Sequence, residues 1–300
     1  MARNYLLRLC LLSAVFAPLA WPRSALDARC AYAAVAVARA GHPDHAYALS
    51  MSDDIGRPVR TFHADFIDAY PVSGDGESDP WFSPPPALAL YWPAMMLPWP
   101  VAAVLLRWGL AVAVARYLPR RLDRWWIIAG PMLVFSVYVA QPAALLYVLA
   151  RAGTARRERE LGLWVAVVGA CKLWPLVLIP LLLWHRRWLA AAWACLGVAI
   201  LVAVSGLYAG PEAWRAALHA LAFDPHLLSP LAVPFRARAL VALLALIIAR
   251  GWTGAVIAAV ATAPVAWPAY ACALYGTRAP RWTWAAAALF YAGLARYLGT

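Results

Sequence analysis

LGLWVAVVGACKLWPLVLIPLLLWHRRW, residues 161–188, decides how this chain is read. The run is apolar and of membrane length, yet it holds Lys172, the only lysine; the other 25 basic residues are arginine. A cation at the centre of a membrane helix costs about 2.5–3.5 kcal/mol on the insertion scale and ordinarily faces a wet cavity or a partner charge. Snorkelling to the interface is the alternative. Lys172 lies about a dozen residues from either end of the run, roughly 18 Å at 1.5 Å per residue, which is too far to snorkel. The position therefore reads as a functional-site residue.

Outward from it, the spacing of the arginines sets the architecture. Residues 161–184 sit between Arg151, Arg156, Arg157 and Arg159 on one side and Arg186 and Arg187 on the other. Residues 125–150 are flanked in the same way, with Arg120, Arg121 and Arg124 in front. Each segment holds only 24–26 residues, too few for two spans of ~20 residues. A single span apiece would put one cluster on the wrong side of the membrane. Two half-length helices meeting inside the bilayer satisfy both constraints. Each segment carries a proline beside a polar residue near its middle, Gln141-Pro142 in the first and Lys172 with Pro175 in the second. Irregular backbone at that depth is tolerated only where protein buries it or it lines a wet cavity. The expectation is two broken hairpins whose tips, Gln141 and Lys172, face a crevice open to the periplasm. Two ordinary spans with irregular loop charges are the rival arrangement.

The remainder of the 300 residues agrees with a membrane chain. At 65% hydrophobic and 13% charged, the composition excludes a soluble domain. The expected fold is all-α: a single polytopic transmembrane bundle over residues 1–300, with about 8–10 membrane helices. The net charge of +12 does not indicate nucleic acid, because the arginines form short clusters between apolar runs, the positive-inside pattern. Five cysteines lie scattered without CxxC or Cys/His spacing, so neither a disulfide framework nor a zinc site is expected. Residues 1–22 read as a first span, with a signal peptide as the rival. Residues 23–84 form an outer loop that carries nine of the 14 acidic residues, among them Asp27, Asp65 and Asp68. Its first part, 26–41, reads as an amphipathic helix along the membrane surface, with Arg29 and Arg39 on the polar side; the rest reads as loop. A proline-bent segment then leads into a span over 98–118. Further spans are expected at 188–208, 237–249, 252–275 and 283–298, with a second outer loop at 209–236 bearing a short amphipathic helix near Trp214. This count leaves both chain ends cytoplasmic, and high Ala, Arg, Trp and Pro suit a GC-rich bacterial source, hence a bacterial inner membrane.

Outer carboxylates, a deep cation and many aromatic side chains together fit chemistry on a lipid-phosphate-linked sugar. An ammonium is an ordinary phosphate partner, and a carboxylate suits a general base on a hydroxyl. The order of features resembles glycosyltransferase family 87. Asp27 follows the first span, with Gly41 and Tyr47 in AGHPDHAY beyond it. A Pro-rich stretch runs from Phe82 to Pro98, and Gln141 opens QPAALLYVLARAG. Gly169 to Pro175 reads GACKLWP, and Ala263 to Tyr270 reads APVAWPAY. Gln141 lacks the Gly before it and the Asn after it that are usual in the family, and Ala263, Ala266 and Pro268 replace Ser, Ser and His.

The resemblance implies a membrane glycosyltransferase of the GT-C class. It would take a hexose or pentose, mannose first, from a polyprenyl phosphate and transfer it with inversion to a glycan or glycolipid acceptor on the periplasmic side. Asp27 would be the base, with Asp65 and Asp68 in reserve; a solvated helix cap is the plain reading of Asp27. Lys172 would hold the donor phosphate, assisted by His226, otherwise an exposed loop histidine. Gln141, Trp267 and Tyr270 would line the cavity, with core packing equally open for the last two. A singly charged phosphodiester donor would need no metal, and no other cofactor is implied. A lipid flippase or a catalytically silent membrane partner are the rival functions.

Overall fold

A computed structural model describes residues 2–20, 26–47, 50–54, 57–61, 63–71, 83–119, 126–221, 235–249, 251–263 and 271–277. His226, Trp267, Tyr270 and the span expected at 283–298 lie outside the described residues.

Helix α1 (Ala2–Ala20) buries Leu7, Leu11, Ala14 and Val15, one stripe at helical spacing. That stripe packs on α5 (Trp99–Tyr117) and α6 (Trp126–Tyr138). A proline-bearing helix, α4 (Pro86–Met95), leads into α5 as expected, with Pro93 inside it. Helix α7 (Ala143–Thr154) returns beside α5 and α8 (Glu158–Cys171). A 3₁₀ turn (Trp174–Val177) then leads into the short α9 (Leu178–Trp184). Helix α10 (Trp188–Ser205) packs along α8. Their seam is built of small residues: a Cβ added to Gly162 would meet Ala190 O at 2.4 Å, and one at Gly197 would meet Ala166 Cβ at 2.7 Å. Such seams let membrane helices approach backbone to backbone. Helices α5 and α10 are long and apolar enough to cross a bilayer. Their outward faces carry exposed Leu105, Trp108, Val112, Leu196 and Ile200, as helices facing lipid do.

A second layer caps one end of this bundle. It comprises α2 (Leu26–Arg39), α3 (Ala64–Asp68), α4 and the start of α5, with α11 (Pro211–Leu221) packed on a 3₁₀ turn at Pro43–Ala46. The surface-lying helix expected at 26–41 is corrected here. Helix α2 is buried nearly all round, because its alanines let neighbours close in on every side. Arg29 is not on a polar face but is itself buried, its guanidinium 5.3 Å from the centre of the Tyr70 ring.

Two further expectations change. The stretch read as loop contains an antiparallel hairpin, β1 (Ser50–Asp54) with β2 (Arg57–Thr61), Asp54 pairing with Arg57 across a two-residue connection. Among the described residues, the all-α reading therefore holds for the body of the fold, with this hairpin added. The span expected at 252–275 is not one continuous helix: after α12 (Phe235–Ile248), α13 (Gly251–Ala261) stops short of Pro264, and α14 (Ala271–Gly276) follows. The residue before a proline is disfavoured in helical conformation, which sets the stop.

Helices α7 and α9 end in the same way, on arginines. Arg156 and Arg186 take left-handed conformations, φ 53° and 56°. Arg157 N–H then bonds Ala152 O at 3.2 Å and Arg187 N–H bonds Leu182 O at 2.8 Å. These are the long hydrogen bonds of a Schellman cap, a position that glycine usually fills.

Candidate active site at two helix breaks

Both predicted breaks are present. Helix α6 stops at Tyr138 and α7 starts at Ala143; α8 stops at Cys171, and Lys172 is extended at φ −147°. At 1.5 Å per residue, the 12–14 residues of α7 and α8 rise only about 18–21 Å from the arginine-rich end, short of a ~30 Å hydrocarbon core.

The apolar packing shows where the tips go. Most buried apolar residues of 126–184 belong to the bundle core, which includes Leu133, Tyr147, Val165 and Leu182. Among the described residues of that stretch, only Ala140 and Cys171 join the core of the capping layer. They are the immediate neighbours of Gln141 and Lys172. The two breaks therefore both project into the layer that contains α2, α4 and α11. Tyr91 of α4 lies against the second of them, its hydroxyl 4.0 Å from Cys171 Sγ.

The predicted site residues fare differently. Lys172 is half-buried, and among the described residues no hydrogen bond or ion pair engages its ammonium. Gln141 is buried, and its backbone N–H donates to Ser136 O at 2.7 Å. Asp27 lies in the first turn of α2, the central helix of the capping layer. Asp65 and Asp68 occupy the exposed side of α3, opposite buried Phe66. Asp65 is already engaged: His45 Nδ1–H donates to its Oδ2 at 2.8 Å. That hydrogen bond holds its carboxyl below the ordinary carboxylate range. The His45 ring stacks on His63, centroids 3.9 Å apart, and on His42 at 4.8 Å. Burial, then the neighbouring His45 charge, lowers the His63 pKa.

One residue escaped the sequence reading. Arg107 of α5 is fully buried, its guanidinium 5.4 Å from the centre of the Tyr138 ring, at the last residue of α6 before the first break. The signal was present: Arg107 stands mid-span, where the depth argument applied to Lys172 applies equally. Treating arginines as loop markers hid it. Its cation–π contact fixes the end of α6, so it supports the Gln141 tip from below.

Gly169 explains part of the motif around Lys172. A Cβ there would lie 2.2 Å from Leu176 Cδ2, so the glycine lets the 3₁₀ turn fold back onto α8 and hold Lys172 at the corner. At the arginine-rich end, Glu158 and Glu160 lock the hairpins in place. Arg187 Nη2 donates to Glu158 at 2.6 Å, Arg116 Nη2 to Glu160 at 3.0 Å, and the Tyr117 hydroxyl also donates to Glu160.

No curated protein and no solved structure matches this chain. The model of glycosyltransferase family 87 matches residues 81–296, most of the chain, and takes in α4, both breaks and Lys172; Asp27, Asp65 and Asp68 precede the matched stretch. An apolar-faced bundle with a lysine held at a broken membrane-depth helix thus carries a family assignment with it: this membrane protein belongs to glycosyltransferase family 87 and is a glycosyltransferase.

Proposed function

We propose that the enzyme takes a sugar, mannose first, from a polyprenyl phosphate carrier and transfers it to a glycan or glycolipid acceptor. The reaction takes place at the periplasmic face of a bacterial inner membrane, which the chain crosses several times with both ends cytoplasmic. The observation that carries this reading is the Lys172 corner: an ammonium without a protein partner among the described residues, at a break that reaches the capping layer. Lys172 is suited to the donor's phosphodiester and gains interaction as that phosphate acquires a second charge on leaving. The start of α7 at the neighbouring tip adds the positive end of a helix dipole.

Asp27 accepts the proton of the acceptor hydroxyl. The freed oxygen bonds to the anomeric carbon from the face opposite the phosphate. The carbon–phosphate-oxygen bond breaks, its electron pair leaving with polyprenyl phosphate, so the configuration inverts. His226, Trp267 and Tyr270 remain candidates for the phosphate and cavity walls. A side-chain cation on a singly charged donor makes a divalent metal unnecessary, and chelator should leave the rate unchanged.

The test is transfer from labelled polyprenyl-phosphate mannose in proteoliposomes holding the full-length chain. Asp27→Asn should abolish transfer while leaving the amount of folded protein intact. If lipid-linked sugar instead crosses the bilayer, with that movement kept in Asp27→Asn and lost in Lys172→Ala, the chain is a flippase and the transferase proposal is wrong.

A further inference from the structure

A cavity of about 610 Å³ lies in the capping layer, and none of its lining residues belongs to either break. Its walls are the end of α2, the turn at Pro43–Ala46, Trp92 of α4, and the loop joining α10 to α11. Its size falls within the ~300–1,000 Å³ of small-molecule sites. Arg39, Asp44 and Glu212 bring charge to it, and Trp92 and Tyr208 bring aromatic surface. The last two rings stack, centroids 4.0 Å apart and planes 21° from parallel. Gly41 and Gly210 lie in its lining: the first takes φ 92°, which a side chain would strain, and a Cβ at the second would come within 3.2 Å of Glu212 Oε2.

The lining selects its ligand by elimination. An acyl chain gains nothing from a guanidinium and two carboxylates. A phosphate would meet two carboxylates against a single lining arginine; Arg215, 3.4 Å from Glu212, and His45, 3.9 Å from Asp44, pair with those carboxylates but do not line the cavity. A neutral polyhydroxylated ring uses every group: hydroxyls donate to Asp44 and Glu212 and accept from Arg39, while the apolar face of the ring lies on the aromatic pair.

Position supplies the role. Trp92 follows Tyr91 on α4, and Tyr91 touches Cys171 beside Lys172. Consecutive helical residues point about 100° apart, so α4 is a common wall, with the Lys172 corner on one flank and the cavity on the next. We infer that this cavity is an outlying acceptor subsite: it holds a neutral sugar ring of the acceptor remote from the reacting hydroxyl, about 18 Å along α2 from Asp27, while the donor phosphate sits at Lys172. The assignment of the role, though not of the ligand class, rests on the transferase reading.

Saturation-transfer NMR on the full-length protein in nanodiscs, with methyl α-pyranosides of mannose, glucose and galactose and the corresponding disaccharides, tests the ligand class without any need for turnover. At least one series should bind, with affinity reduced roughly tenfold in Trp92→Ala and in Glu212→Gln and largely restored in Trp92→Phe. In the transfer assay, Tyr208→Ala should raise acceptor KM roughly tenfold while donor KM stays put. Binding of no saccharide by the wild type, or binding unchanged in both cavity variants, overturns the inference. Saccharide binding that depends on Trp92 in a protein without transfer activity would sink the transferase reading and leave the sugar site standing. Equal rises in donor and acceptor KM would overturn the acceptor role.

Discussion

At Gln141 the chain turns through a closed cap, whereas at Lys172 it turns through an open corner. The first break is a complete Schellman motif: Ala140 at φ 57°, its N–H bonded to Val137 O and that of Gln141 to Ser136 O. Val139 to Pro142 are all buried, and Arg107 stacked on Tyr138 anchors the tip from below. The second break has no left-handed residue. Lys172 goes extended and a 3₁₀ turn carries the chain away, leaving a half-buried ammonium at the bend. The two breaks thus differ in build, one a closed and buried cap and the other an open corner that presents a charge. A polar residue beside a proline in an apolar run signals irregular backbone; what separates the two tips is burial and charge.

The comparison can be broken most directly at the charge. Lys172→Ala should reduce transfer about 100- to 1,000-fold, as loss of a group stabilising a leaving charge does. Gln141→Ala should reduce it far less at equal amounts of folded protein. Initial rates with labelled donor would check this, and equal losses at both tips would erase the distinction. Next in size is the shape of the open corner. Gly169→Val must displace Leu176, and overpacking of this kind costs about 1–3 kcal/mol. Because the strain falls at the bend that holds Lys172, kcat should drop further than thermal stability does.

Smaller still is the effect at the closed tip. The residue before Gln141, where the family usually has glycine, is in this chain an alanine held in left-handed conformation. That costs about 1–2 kcal/mol. Ala140→Gly should recover about 1 kcal/mol of it, read as a raised unfolding temperature with transfer nearly unchanged. The weakest lever is the pH of the layer that both tips reach. The His63 and Asp65 pKa values are both depressed in the folded chain, so the stability each contributes is present above its ordinary pKa and lost as pH falls. Melting temperature should therefore decline first below about pH 6.5, through His63, and again in the acid range through Asp65. His63→Gln should remove the first decline.

The breaks were legible because they follow from length and charge: too few residues between arginine clusters for two spans, with proline at the midpoint. Lys172 was legible by its singularity. Other features depend on contacts between distant segments and left no local trace. The burial of α2 on every side is a property of its neighbours, since an alanine-rich helix displays no strong apolar stripe of its own. The Trp92–Tyr208 pair joins α4 to the loop after α10, and each tryptophan taken alone reads as an interfacial anchor. Arg107 was a different failure, in which a sound rule about loop arginines was applied to one that sits in a span.

The arginines closing α7 and α9 have a practical consequence for anyone mapping orientation by charge reversal. Arg156 and Arg186 belong to the arginine clusters from which the proposed orientation is read, and they are also the residues at which the backbone reverses hand. Swapping either for glutamate would alter two things at once, and a scrambled insertion could be blamed on the wrong one. Glycine at the same places removes the charge yet eases the dihedral, and so separates the address from the fastening.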